Sequence, residues 1–465
     1  MIKGIYRIFK NGLEVASQEN LVTNNGKDMI LKYLGSSVSS WAADLVVGTG
    51  SSLSGSTNAA KVTDTILEYE VVRNIIKLRS PNIMTSTATY SSVSANTVVV
   101  TLPTGFSSGT VTIGTVTSNT ATLTGLSSTA GMIVGGRVTA TNGTGNIGVN
   151  TVITSVLGPT SITVSSTASL AAGNVTAIGS SYIVSGMAVS GTNIDVNSVI
   201  TSVSSTATTV SVVLSHTPTS TPSGTMTFTQ RKLIFKTDID PTVVTTIKEI
   251  GLFSGGLSAN GNYSEDILTN FEEGVSGSGS PNPLTWYNAT TPTNYSSVSY
   301  VGSSSLRLAN TNAVLGSTNA TPTRPGVLNK LITSYDRTDT LKLLVYNASG
   351  SATTGTIKVT FYDTQNSVTT MVWSIASATY GIGSLTVLSA PMNDATVVTN
   401  SAFNYNISAI KVETTADLVF DSLKISPDSK INANNSLLSR TILTTPISKT
   451  VGDNLEIQYE LVLGL

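Results

Sequence analysis

Cysteine is absent from this 465-residue chain, so neither disulfides nor thiolate metal sites can hold it together. Histidine occurs once, as His216, which is too little for a zinc site and leaves a Ser-His-Asp triad only one base to use. Charged residues make up 11% of the chain, against roughly 25% in ordinary soluble proteins. The net charge of −1 supplies no basic field for nucleic acid. No apolar run is long enough to cross a bilayer as a helix. The opening Met1-Ile2-Lys3-Gly4-Ile5-Tyr6-Arg7 lacks the apolar stretch of a signal peptide. We therefore expect synthesis in a cytoplasm, no nucleic-acid partner and no membrane span, with any surface role reached by assembly or lysis.

Ser, Thr, Gly, Asn and Val fill the space that charge leaves. These small residues suit short strands joined by tight turns, so the expected fold class is mainly β with several modules and one short helix. The length predicts two to four domains. Charge then draws their boundaries, because Pro81 to Gln230 contains two charged residues, Arg137 and Asp195. A break this sharp reads as an inserted module. The expected map is a host domain in three parts, 1–80, 231–260 and 433–465, interrupted by inserts at 81–230 and 261–432.

Within the host parts, Asn11-Gly12 predicts a hairpin of 2–9 with 12–22. A helix follows, capped by Asn24 or Asn25, with Met29, Ile30, Tyr33 and Leu34 on one face and Gly35 at its end. After a Val47-Gly48-Thr49-Gly50 turn, residues 66–79 return to strand. Leu233-Ile234-Phe235 and Ile247 to Phe253 are strands on either side of an Asp240-Pro241 turn. At the end, Leu455, Ile457, Tyr459, Leu461 and Leu463 alternate with Glu456, Gln458, Glu460 and Val462, one face apolar and the other largely polar. These stretches are expected to pair into a single platform from which the inserts protrude.

The low-charge insert carries a repeat. The string Val149-Asn150-Thr151-Val152-Ile153-Thr154-Ser155-Val156 returns 47 positions later as Val196-Asn197-Ser198-Val199-Ile200-Thr201-Ser202-Val203. A Gly-containing strand precedes each copy, and an alternating one follows (Ile162/Val164; Val210/Val212/Leu214). This predicts tandem β-modules rather than a Ser/Thr linker. In the second insert, Leu306/Leu308, Ile357/Val359/Phe361 and Val419/Leu423/Ile425 mark the strands of a sandwich.

A search for chemistry returns little. His216 sits beside Leu214 and Pro218, far in sequence from any acid, and reads as a surface residue. The acidic pairs Glu265-Asp266 and Glu272-Glu273 place adjacent carboxylates on opposite faces, which does not suit glycoside hydrolysis. Gly35 to Gly55 lacks the Gly-Lys-Ser/Thr of a phosphate loop. No enzymatic activity and no catalytic residue are expected. Trp286, Tyr287, Tyr295, Tyr300 and Trp373 could stack on sugar rings or could simply pack, and Trp373 in Met371-Val372-Trp373 reads as core.

Four ordered pieces resemble a bacteriophage virion protein of the tail-associated, tail-fibre-like type. They are Asn20 to Gly26 before the helix, Tyr69-Glu70-Val71-Val72-Arg73, Lys248-Glu249-Ile250-Gly251-Leu252-Phe253, and Leu437-Leu438-Ser439-Arg440 through Pro446-Ile447-Ser448-Lys449 to Leu455-Glu456-Ile457-Gln458-Tyr459. The repeat is similar to modules of phage fibres and bacterial surface proteins. Residues 262–430 resemble a carbohydrate-binding-module jelly roll, through Phe271-Glu272-Glu273-Gly274, Gly302 to Leu308 and Phe420-Asp421-Ser422-Leu423. The resemblance implies a structural component of the virion, in the fibre, neck or baseplate region or decorating the capsid. Its partners would be other virion proteins and further copies of itself. It also implies a structural calcium at Glu272 and Asp421, the alternative being solvated strand-end carboxylates. The rival functional expectation is an adhesin that binds bacterial surface glycan through Trp286, Tyr287, Tyr295 and Tyr300.

Overall fold

The structure, a computed structural model, describes residues 2–35, 42–50, 60–101, 111–117, 120–126, 129, 137–140, 153–165, 174–175, 178–181, 183, 185–205, 209–254, 266–276, 282–287, 293–319, 326–328, 330–331, 338–363, 370–398, 406–430 and 436–463. The fold is mainly β, in several antiparallel sheets, with one α-helix among the described residues. The chain divides into two compact units built from discontinuous stretches. The first takes 1–20, 76–240 and 453–465, and the second takes 21–75 and 241–452.

In the first unit, strands Ile2–Lys10 and Leu13–Glu19 form the expected hairpin. Asn11 (φ 53°) and Gly12 (φ 81°) both adopt the left-handed backbone that a two-residue hairpin turn requires. Ile2–Lys10 pairs along its other edge with the terminal strand Leu455–Leu463, which in turn pairs with the 17-residue strand Ser223–Ile239. That long strand pairs with a second one of 17 residues, Leu78–Ser94. The expected domain edges at 80/81 and 230/231 therefore fall inside continuous strands. Along its other edge Ser223–Ile239 is paired first with Ala188–Thr192 and then, from Arg231, with the terminal strand. The low-charge insert thus grows out of the sheet rather than hanging from its loops.

The repeat is structural. Ile153–Gly158 pairs with Ser161–Ser165 through Ile153↔Val164 and Val156↔Ile162. Ile200–Ser205 pairs with Thr209–Leu214 through the equivalent Ile200↔Leu214 and Val203↔Val212, with the same register shift after the first pair. The inward residues Ile153, Ile162, Val164, Ile200, Val212 and Leu214 are buried in both copies. Val149 to Val152 and Gly135-Gly136 lie outside the described residues. The copies are nested rather than tandem. The second hairpin joins Thr97–Thr101 and Leu78–Ser94, which precede the first copy in the chain, so the first copy is inserted within the second.

The second unit holds a five-stranded sheet in the order Leu21–Val22, Leu437–Lys449, Thr245–Phe253, Asp44–Gly48, Glu70–Ile75. The host stretches consequently form two sheets, not one platform, with Thr245–Phe253 in a different sheet from the terminal strand. Residues 66–79 likewise split into Glu70–Ile75 and the start of Leu78–Ser94. The helix Asn24–Leu34 is capped by Thr23, one residue before the expected asparagines. Thr23 Oγ1 accepts from Gly26 N at 3.0 Å and donates to Leu437 O at 2.6 Å, so the same hydroxyl caps the helix and ties it to the sheet. Met29 and Ile30 face the core, whereas Tyr33 is exposed.

The remainder of this unit is the sandwich. One sheet contains Thr293–Tyr295, Ser305–Ala309, Asp417–Ser426, Thr340–Tyr346 and Leu385–Pro391, with Asp266–Thr269 also on Asp417–Ser426. The facing sheet contains Val275–Ser276, Trp286–Tyr287, Asn312–Leu315, Asn406–Thr414, Thr353–Asp363, Thr370–Tyr380 and Thr396–Val398, with Lys330–Leu331 also on Asn406–Thr414. Ile357, Val359 and Phe361 meet Leu306, Leu308, Leu423 and Ile425 in one core, as the alternation predicts. Val419 departs from this. Pairs Val345↔Phe420 and Leu343↔Leu423 leave Asp421-Ser422 opposite one residue, and this bulge puts Phe420 and Leu423 inward together.

One buried carboxylate organises the five-stranded sheet. Glu249, fully buried, accepts from Tyr69 N (2.8 Å), Glu68 N (3.2 Å), and Arg440 Nε (3.1 Å) and Nη2 (2.7 Å). Arg440 Nη1 continues to Asp64 Oδ2 at 2.8 Å. A Cβ on Gly50 would stand 2.5 Å from Glu249 Oε1 and 2.6 Å from Tyr69 N, so only glycine lets the turn approach. Gly50→Ala is expected to lower stability by about 1–3 kcal/mol through this overpacking. A urea denaturation midpoint unchanged from the parent would contradict it.

Candidate functional site

The sequence selects two constellations in the sandwich, and the structure separates the aromatic one and brings the acidic one onto a single loop. Trp286 is a core residue. Its ring stacks on Phe271 (centroids 4.8 Å apart, planes at 15°) and its Nε1 donates to Glu273 Oε2 at 3.1 Å. Glu273 is fixed in turn by Thr269 Oγ1 at 2.8 Å. Phe271 reaches this position from a left-handed backbone (φ 59°), which packing on both Trp286 and Phe420 holds in place. Trp373 is core as well, edge-on to Phe361 at 4.7 Å.

Tyr300 is half-buried against the Lys248 ammonium, 4.2 Å from its ring centre, and against Tyr346 at 6.0 Å. The two remaining tyrosines, also half-buried, sit on different sheets. Tyr287 pairs with Val314, and Tyr295 stands 5.9 Å from the Arg307 guanidinium. Arg307 itself is held by Asp417 at 2.8 and 2.6 Å. The four rings therefore make no common stacking surface for a sugar. Trp286 is removed from the set because it is fully buried, and the Tyr300 ring is engaged by Lys248 and Tyr346.

Glu272 and Asp421 do converge, on the loop Ser299 to Ser304. The bulge in Asp417–Ser426 turns Asp421 out of the core, and its Oδ2 accepts from Tyr300 N (2.6 Å) and Val301 N (3.0 Å). Glu272 Oε1 accepts from Ser303 N and, at 3.2 Å, from Ser304 N. Between these, Gly302 N donates to Val244 O at 2.9 Å. Five consecutive backbone N–H groups are thus all engaged. N–H groups repel a cation, and hard calcium takes six to eight oxygen ligands. Among the described residues no three acidic or histidine side chains come together. The donor set does not fit calcium: the N–H groups occupy the place where the ion was expected.

The clamped loop is part of a joint within the second unit. Thr246 N (2.9 Å) and Thr245 Oγ1 (2.7 Å) donate to Tyr300 O, binding the loop to Thr245–Phe253. Beside it, buried Lys424 donates to Glu70 O and stands 4.1 Å over the Tyr69 ring, whose hydroxyl donates to Ser422 Oγ at 2.7 Å. Tyr69, Val301, Leu344 and Leu385 form the apolar part. Sequence reasoning missed Lys424, Lys248 and Tyr69 as joint residues. For the two lysines the signal was a charge flanked by apolar strand residues, Leu423-Lys424-Ile425 and Ile247-Lys248-Glu249-Ile250.

Of the other candidates, His216 is exposed, with Nδ1 2.9 Å from Ser215 Oγ. Asp266 lies in a strand opposite Ile425, and Glu265 is outside the described residues.

Burial shifts the joint's ionisable groups. Desolvation first, and the nearby Glu272 charge, push the Asp421 carboxyl up to about 7 against the pull of the two N–H donors. Burial holds Lys248 down to about 8, and burial together with Tyr346 and Asp421 raises Tyr300 to about 12. Because Asp421 binds its proton more tightly folded than unfolded, the stability it adds is complete below about pH 4 and is lost as pH rises through about 7. The urea midpoint is expected to fall across this window in the parent, and Asp421→Asn, which keeps an acceptor for the loop, is expected to flatten the fall. Equal pH slopes in the two proteins would contradict the assignment.

No family model matches the chain, and no curated protein matches it. Among solved structures, 36% of this chain aligns with 29% of the chain of the N-terminal endo-1,4-β-D-xylanase 10B of Clostridium thermocellum complexed with xylohexaose, at 15% identity and a TM-score of 0.21. The chain thus spans under a third of that protein's length. The infectious bursal disease virus Gx strain structure aligns over 99% of this chain and 81% of its own, at 10% identity and a TM-score of 0.11. Both scores are too low to carry an argument, so function rests on this chain's own residues.

Proposed function

We propose that the chain is a structural component of a bacteriophage virion, tail-associated or on the capsid surface, that presents β-modules from sheets held by buried ion pairs. One observation carries this reading. The strands Leu78–Ser94 and Ser223–Ile239, each 17 residues, run unbroken from the sheet that holds the terminal strand into the low-charge module. At about 3.3 Å per residue such a strand spans about 55 Å. A module attached in this way is carried stiffly by the ladder, where a pair of loops would leave it free to swing.

Composition supports the same reading. The module is built from Ser, Thr and Val, and its interior is a compact cluster around Val98, Val100, Val210, Val212, Met226 and Phe228. Uncharged hydroxyls can be buried against neighbouring subunits once hydrogen-bonded, at less cost than charge. The ordered pieces of the tail-fibre-like resemblance also fall on strands of the five-stranded sheet and on the terminal strand. The adhesin reading through Trp286, Tyr287, Tyr295 and Tyr300 loses two of its rings to packing and is not favoured.

Antibodies raised against the folded chain are expected to label one defined position on intact particles of the encoding phage in negative stain. Antibodies that recognise the chain in infected lysate but leave purified particles unlabelled would overturn the proposal.

A further inference from the structure

In the first unit, the outer face of the sheet made by Ile2–Lys10, Leu455–Leu463, Ser223–Ile239 and Leu78–Ser94 is expected to be solvated, since it carries the polar half of the terminal strand. It is not. Glu460, Gln458, Arg7 and Lys232 are all under a tenth exposed. They line a cleft of about 380 Å³ together with Phe9, Glu14, Leu78, Ser80, Ile234 and Lys236. The strand registers explain the grouping, because Leu78, Lys236, Gln458 and Arg7 lie in one cross-strand row and Ser80, Ile234 and Glu460 in the next.

The charges in the wall are paired with one another. Arg7 Nη1 meets Glu14 Oε1 at 2.7 Å and Arg7 Nε meets Glu460 Oε2 at 3.1 Å. Lys232 Nζ meets the other oxygen of Glu460, and Lys236 reaches Glu456 at 3.2 Å. The three lining cations are paired with two lining carboxylates, Glu14 and Glu460, and with Glu456 beside the cleft, so the paired group as a whole is neutral and presents no net field to draw an ion. Donors and acceptors alternate along it, which suits hydroxyls that must both give and accept a hydrogen bond. Phe9, Leu78 and Ile234 supply an apolar wall for a C–H face. Burial holds the Lys232 ammonium below its ordinary range, which marks the floor as poorly solvated. The volume lies near the lower end of the roughly 300–1,000 Å³ typical of ligand pockets.

We propose that this cleft is a binding site for a neutral saccharide of one or two rings, seated on Phe9 and hydrogen-bonded by Glu14, Gln458 and the Arg7–Glu460 pair. The site is distinct from the sandwich residues considered above, and it stands whether or not the chain belongs to a particle. A phosphate or sulfate would face Glu14 and Glu460, and a zwitterion would have to break pairs already made.

The test is saturation-transfer NMR on the full chain with glucose, galactose, rhamnose and N-acetylglucosamine at millimolar concentration, with methyl phosphate and glutamate as charged probes. At least one sugar is expected to receive saturation, and neither charged probe is. Phe9→Ala is expected to weaken binding roughly tenfold. Ser80→Phe, which fills the cleft from its rim without touching an ion pair, is expected to abolish it while the thermal melt stays that of the parent. Absence of transfer to every sugar, sugar binding that survives Ser80→Phe, or binding of the charged probes alone would each overturn the proposal.

Discussion

A carboxylate taken into a sheet interior costs several kcal/mol unless a cation and further hydrogen-bond donors meet it there. Glu249 and Glu460 are two such carboxylates, and the architecture depends on their partners being present. Glu249 joins Arg440, 191 residues away, and Lys232 joins Glu460 across 228. Each pair locks strands that the second large insertion separates in the chain. A protein with 11% charged residues can pack neutral Ser/Thr/Val strands in many registers, because a shifted register still places small residues against small residues. A misplaced buried charge tolerates no such shift. The scarce charges therefore act as register marks where discontinuous segments meet.

The same logic extends to the sandwich. Lys424 and Asp421 sit on an outer sheet face of the sandwich that would otherwise be solvated and find their partners in the five-stranded sheet or in the loop bound to it, while Lys248 reaches from the five-stranded sheet to the Tyr300 ring in that loop. The sandwich is consequently fixed within its unit by Gly302 N on Val244 O, by the two donors that meet Tyr300 O and by Lys424, rather than tethered by the chain alone. In the first unit a continuous ladder does the equivalent for the second copy of the repeat. Both devices favour rigid presentation over hinged movement, which is the mechanical quality the proposed role needs.

Much of this was legible in the sequence. The hairpin at Asn11-Gly12, the helix after Thr23, the repeat and the alternating strands of the sandwich all follow from turn chemistry and period-two patterning. Pairing partners were not legible. Alternation says which face of Leu455–Leu463 is buried, but not that Thr245–Phe253 belongs to a different sheet. Composition placed edges at 80/81 and 230/231, yet backbone hydrogen bonding is indifferent to charge and carries both strands through. Glu272 and Asp421 reach the same loop, but sequence cannot distinguish a carboxylate that accepts N–H groups from one that binds an ion. Trp286 failed as a sugar platform because a residue fifteen positions earlier, Phe271, covers its ring.

The most direct measurement is a double-mutant cycle between Glu249→Gln and Arg440→Met, read as urea unfolding free energies. Arg440→Met alone leaves the Glu249 charge buried without its cation and is expected to cost about 3–5 kcal/mol. In the Glu249→Gln background the same substitution is expected to cost less by about 2 kcal/mol or more. Losses that add to within about 0.5 kcal/mol would contradict the account, because the two side chains would then not be acting together to hold their strands.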